Sequence, residues 1–285
     1  MLKNSIKTVF LLTLVGVLFI MVGGLLAGET GMIIAFIFAL GMNFFSYWYS
    51  DKLILNMYKA KEVNRDNAPG FYNMIEDLAQ RAEVPMPKVY IIPQSQPNAF
   101  ATGRNPSHAA VAATQGILKT LSEDELRGVM AHEFAHIKNR DILTQTIVAT
   151  VVSAITMLTY MAMFFRGGRD SGGNIFVMLL TLILAPVAAA MLQSAISRTR
   201  EYEADRVGGE ISGRPESLAN ALKKIQAAAS GNPMQASESQ QQATAHMFAV
   251  NPFSARGLSK MFSTHPDTNE RIEKLMEMSR TGVYK

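Results

Sequence analysis

Four stretches of the chain carry no charged residue: Thr8–Gly28, Thr30–Ser50, Ile142–Phe165 and Asn174–Ser197. Each exceeds the roughly 20 residues that a helix rising about 1.5 Å per residue needs to cross a hydrocarbon layer about 30 Å thick. The pattern predicts four transmembrane helices, paired as two hairpins. The competing readings are buried core helices or, for the first stretch, a cleaved signal peptide. A signal peptide fits poorly, because a second apolar run begins after Glu29 with no small-residue cleavage pattern between them. The third stretch is Thr-rich and the fourth contains Pro186, so partial packing against protein is the alternative for that pair.

Outside these stretches the pattern is that of a soluble domain. Pro69–Ala82 reads as an amphipathic helix opened by proline, and Lys88–Ile92 as a strand closed by Pro93. Asn98–Thr102 and Ala109–Thr114 are short strand candidates. Ser122 with Glu125 forms a capping box that starts a helix. Thr199–Ile211 and Pro215–Ala229 read as helices, Ser230–Asn251 as a polar, mobile loop, and Thr268–Ser279 as a last helix behind a second box, Asp267 with Glu270. The expected organisation is a membrane hairpin (1–50), the first part of a soluble domain (51–141), a second hairpin (142–197), and the rest of that domain (198–285) with its loop at 230–251.

Charge sets the orientation. Lys3 and Lys7 precede the first hairpin and Lys52, Lys59 and Lys61 follow it, whereas the turn at Gly28–Gly31 has no Lys or Arg. Positive residues stay inside, so both soluble parts are expected in the cytoplasm. Arg166 and Arg169, in the loop between the last two spans, run mildly against the rule. The net charge of +4 is spent on these flanks, and no basic patch interleaved with aromatics points to nucleic acid. With no cysteine, disulfides, thiolate catalysis and Cys-based metal sites are excluded.

The chemistry concentrates in His132-Glu133-Phe134-Ala135-His136. Residues four apart share a helix face, so both imidazoles can converge on one ion. Glu133 can reach a water activated by zinc, whose pKa falls to about 7, and take its proton during attack on a peptide carbonyl. A chance pattern on a surface helix is disfavoured because the chain has only five histidines. A third ligand is needed. The best candidate is Glu201 in Arg200-Glu201-Tyr202-Glu203-Ala204-Asp205, because Glu201 and Asp205 share a face and Glu203 points away. Asp205 then suits the free N–H of a ligating imidazole. The bland alternative is a solvated charged face.

His132–His136 with Asn139-Arg140-Asp141, followed by Ser197-Arg198-Thr199-Arg200-Glu201-Tyr202-Glu203-Ala204-Asp205-Arg206, resembles the HtpX family of bacterial membrane proteases, relatives of the CAAX prenyl proteases. The likeness covers nearly the whole chain. It implies His132, His136 and Glu201 as ligands of one Zn²⁺ per chain, Glu133 as general base, and Asp205 behind the ligands. It also gives two further segments a role. Asn98-Ala99-Phe100-Ala101 is similar to the edge strand that binds substrate backbone in thermolysin-like enzymes, though alone it is an unremarkable strand. His265 resembles an oxyanion donor, against the plainer reading of a turn histidine capping the last helix.

The fold class expected is a mainly α membrane protein, with four transmembrane helices plus a cytoplasmic α+β zincin-like (gluzincin) protease domain. The resemblance implies a zinc-dependent endopeptidase of the bacterial inner membrane, acting at the cytoplasmic face on misfolded or damaged membrane proteins. Its partners would be those substrates and the lipid bilayer, with no nucleic acid. An intramembrane protease is disfavoured by the charges flanking the motif, from Glu123 to Asp141. A non-proteolytic four-span scaffold or transporter with a structural zinc is the rival from another class, and it would call for four protein ligands.

Overall fold

The computed structural model describes residues 2–148, 151, 198–231 and 266–282. Helical structure runs from Leu2 to Met57 (α1) and doubles back at Gly28, whose φ of +58° costs glycine little. In a straight helix Leu12 and Asn43 would lie about 46 Å apart. Instead Asn43 Nδ2 donates to the Leu12 carbonyl at 3.2 Å, and Phe19 meets Phe38 with ring centroids 5.5 Å apart. Small residues allow the close seam: a Cβ on Gly23 would stand 2.3 Å from the Gly31 oxygen.

The second arm, Gly28–Met57, is the one helix among the described residues long and apolar enough to cross a membrane. Its most apolar stretch is only 11% buried, with Ile33, Ile34, Ile37 and Phe44 exposed, whereas a core helix would hide them. This element corresponds to the first predicted hairpin with one correction. The arm continues past Ser50 to Met57, because Ile54 and Leu55, with Tyr58 just beyond, are buried against the sheet. The predicted spans 142–165 and 174–197 lie outside the described residues, except that 142–148 and 151 are helical. Most of the predicted loop 230–251 lies outside them too.

Four strands form one mixed sheet: β1 (Lys61–Val63), β2 (Lys88–Ile92), β3 (Ala99–Gly103) and β4 (Ala109–Thr114), in the order β1-β2-β4-β3. β2 and β4 pair parallel, with Val89 opposite Val111, and the outer pairs are antiparallel. Alternation divides the sheet between two cores. Phe100, Ala110 and Ala112 face the end of α1, while Val89, Ala99, Ala101, Val111 and Ala113 face the helices.

Those helices are α2 (Pro69–Ala82), α3 (Gln115–Thr120), α4 (Glu123–Lys138), α5 (Arg198–Ser212), α6 (Pro215–Gly231) and α7 (Thr268–Thr281). α4 lies at the centre, with Val129, Met130, Phe134 and Ile137 fully buried among neighbours on every side. Ser122 and Glu125 form the expected capping box, with bonds of 2.8 and 3.4 Å, and Glu125 also binds Lys224 at 2.8 Å, tying α4 to α6. The second predicted box takes another form. Asp267 caps α7 through the Asn269 N–H at 2.8 Å, while Glu270 pairs with Lys274 one turn on. β1 and α3 were not anticipated.

Candidate metal centre

α4 carries His132, Glu133 and His136 in its middle, all less than 5% exposed. α5 packs across it at a glycine: a Cβ on Gly208 would come within 2.8 Å of the His132 Cα and N. This approach brings Glu201, one turn into α5, between the imidazoles. Its Oε2 lies 3.8 Å from His132 Nε2 and its Oε1 3.7 Å from His136 Nε2. The three donor atoms lie within 4.8 Å of one another. Glu203 sits on the outer face, bound to Arg206 at 2.7 Å and half exposed.

A layer of carboxylates holds the far side of each ring. His132 Nδ1 is 2.9 Å from Asp205 Oδ1, and His136 Nδ1 is 3.3 Å from Asp141 Oδ2. Behind Asp205 lies Arg271 of α7, 1% exposed, with Nε 2.8 Å from Oδ2 and Nη2 2.7 Å from Oδ1. Its remaining nitrogen reaches Glu201 Oε2 at 3.8 Å. Arg200 approaches Asp141 at 3.6 Å. Asp141, Arg200 and Arg271 are the site residues to which sequence reasoning gave no part in the metal centre. Asp141 stood in the run Asn139-Arg140-Asp141, and the signal for Arg271 was a cation on the same face as the buried Leu275.

Burial and neighbours divide the titrations. Burial holds His132 below its ordinary value despite Asp205. Burial works against a charge on His136 too, but Asp141, Glu201 and Glu133 outweigh it and push that imidazole up to about 9. Glu133 rises to about 7 chiefly through burial, moderated by His136 and the Ala101 N–H. Burial would raise Asp205, but Arg271 overrides it and keeps the carboxyl low.

Glu133 also makes the bond that joins the helix to the sheet. Its Oε2 accepts from the Ala101 N–H at 2.9 Å. Asn98 exchanges main-chain and hydroxyl bonds with Thr114, so alternation turns the backbone of Ala99 and Ala101 away from β4. β3 is thus a sheet edge whose outward N–H at Ala101 meets Glu133. Of Asn98-Ala99-Phe100-Ala101, Phe100 faces the opposite side, against Tyr58, and Asn98 Oδ1 accepts from the Ala99 N–H at 2.9 Å. His265 lies outside the described residues.

The donor set fits a metal. Two imidazoles and one carboxylate, buried together and each ring braced from behind, match the coordination of catalytic sites that leave a position open. Set beside a second carboxylate and a sheet edge, they define a metalloprotease. Comparison with known proteins narrows the class: residues 66–279 match Peptidase family M48, and the chain belongs to that family. It is 58% identical over 284 residues, 99% of each chain, to a Protease HtpX homolog of Burkholderia thailandensis. A Protease HtpX homolog of Ralstonia pickettii matches at the same identity and coverage. Among solved structures it is similar to S. mikatae Ste24p, with a TM-score of 0.53 at 20% identity, over 96% of this chain and 66% of that one, a likeness of fold. The scaffold reading is set aside.

Proposed function

We propose that this metalloprotease is a zinc-dependent endopeptidase held in the bacterial inner membrane by four spans. Its catalytic domain faces the cytoplasm, where it hydrolyses misfolded or damaged membrane proteins. The observation that carries the reading is the convergence of His132, His136 and Glu201 beside Glu133 at the edge of a sheet. Two nitrogens, one oxygen and no thiolate are a donor set that zinc takes. Bound there, zinc would supply Lewis acidity, making water acidic and polarising the scissile carbonyl.

The chain's own groups do the rest. Glu133 takes the proton of the attacking water and returns it to the departing amine. An extended substrate lies along β3, its N–H groups donating to the outward carbonyls of Ala99 and Ala101, whose own N–H groups are held by Asn98 and Glu133. Asp205 and Asp141 hold the two rings in the tautomer that leaves each Nε2 free to ligate. His265 takes the role the family resemblance implies, donating to the carbonyl oxygen as it gains charge. The cytoplasmic orientation is supported by the lysines that flank the first hairpin.

The test is degradation of an unfolded membrane protein by the purified, zinc-loaded chain beside its Glu133→Gln variant. Equal cleavage by the two would remove the reading. Reporter fusions after Ser50 and at Lys285 test the topology, and activity only outside the cytoplasm would reverse it.

A further inference from the structure

Two contacts fix how the catalytic domain stands on the α1 hairpin. Tyr58 packs against Phe100 of β3 with ring centroids 5.9 Å apart, and the Arg104 guanidinium lies 4.6 Å from the centre of the Trp48 ring. From Tyr58 back to Trp48 the helix covers about 15 Å. From Phe100 forward to Arg104 an extended chain covers about 13 Å. Two segments of similar length in contact at both ends run alongside one another, so β3, with Arg104 just past its end, follows the hairpin axis without crossing it. Ala101, whose N–H binds Glu133, therefore stands about 10 Å from the level of Trp48 along that axis.

Trp48 in turn marks the edge of the apolar layer. The helix from the Gly28 turn to Trp48 is about 30 Å long, the thickness of a hydrocarbon core. Tyr47, Trp48 and Tyr49 are 36%, 43% and 40% exposed, and Lys52 lies 5.3 Å from the centre of the Tyr49 ring. A belt of exposed aromatics next to a cation belongs at headgroup level.

We propose that the enzyme selects peptide bonds about three to four residues beyond the end of a substrate's transmembrane span, reading distance from the membrane more than side-chain identity. This rests on the reading of the chain as a membrane-anchored protease. An extended segment leaving the bilayer beside the hairpin gains about 3.3 Å per residue and reaches the level of Glu133 after about three. Because β3 runs along the same axis, that segment meets the strand edge in line, without a turn. Strand addition then supplies main-chain bonds that any sequence can make. A bond at the membrane surface falls short of Glu133. A bond far out must loop back, and its effective concentration falls roughly as the −3/2 power of tether length.

The test uses the full-length, zinc-loaded protein in phospholipid vesicles. Single-span substrates carry one cleavable sequence after Gly/Ser spacers of none, about four, about eight and about thirty residues, with the same sequence as a soluble peptide for reference. The expected result is a maximum at about four, with the rate roughly tenfold lower without a spacer and again at the longest. Equal rates from about four to about thirty residues, or a maximum at the longest, would overturn the distance rule while the protease reading stands. Absence of cleavage in every substrate, the soluble peptide included, would remove the protease reading and this inference with it.

Discussion

Arg271 grips both carboxylate oxygens of Asp205, at 2.7 and 2.8 Å, while Asp205 Oδ1 stands 2.9 Å from the Nδ1 of His132. The C-terminal helix is thereby wired to a metal ligand through one buried carboxylate. Arg271→Met should leave Asp205 charged in the interior without its cation, at a stability cost of about 3–5 kcal/mol. Metal affinity should fall roughly 10–100-fold, the usual effect of losing support behind a ligating histidine. Arg271→Lys should recover only part of either, since an ammonium cannot make the paired bonds. Thermal unfolding and metal titration check both effects, and unchanged affinity in Arg271→Met would sink the connection.

The two glutamates of α5 should separate cleanly. Glu201→Ala is expected to empty the site, whereas Glu203→Ala, losing an exposed pair with Arg206, should keep its metal and lose at most about 1 kcal/mol. Zinc per chain, measured on proteins purified in parallel without added metal, is the readout. An empty Glu203→Ala beside a loaded Glu201→Ala would contradict the helix register.

Metal uptake should depend on pH in one direction. A histidine ligates only when neutral, and His136 in the metal-free chain is pushed up to about 9. Affinity should therefore climb by up to about tenfold per pH unit between pH 7 and 9, with proton release seen by calorimetry in buffers of different ionisation heat. Stability of the metal-free chain should move the opposite way. His136 is raised above its unfolded value, so its stabilisation is complete below about 6.5 and lost as pH rises through 9. Glu133, raised to about 7, destabilises once ionised, so Glu133→Gln should flatten the fall between about pH 4.5 and 7. Metal-free protein equally stable at pH 6 and pH 9 would count against these environments.

Gly208→Ala tests the helix contact that assembles the site. The new methyl would meet backbone of α4 at 2.8 Å, which cannot yield as a side chain does. Destabilisation of about 1–3 kcal/mol and weaker metal binding should appear together. Gly128→Ala is the control: its Cβ would strike the Leu218 backbone of α6 at 2.7 Å, at a contact that does not involve α5. It should destabilise comparably and leave metal affinity per folded molecule unchanged.

What the sequence disclosed follows the range of the forces involved. The capping box at Ser122, the turn at Gly28 and the shared face of Glu201 and Asp205 are set within one or two helical turns, and all were legible. Strands β2 and β4 were legible because proline, turn residues and small apolar runs bound them. β1 was not, since three residues with an exposed pattern acquire strand geometry only by pairing with β2. Nor was the role of Arg271, whose partner lies 66 positions earlier in the chain. Asp267 shows a narrower limit: composition announces a cap, but which N–H it takes depends on backbone angles near the cap.

The donor set is divided in the chain. His132 and His136 precede the apolar run 142–197, and Glu201 follows it. A ribosome that has completed α4 has made two of the three proposed ligands and no site that closes. At about 5–20 residues per second, several seconds of synthesis separate His136 from Glu201, and Arg271 comes later still. A nascent or truncated chain that ends before α5 consequently lacks the proposed third ligand and holds no complete donor set.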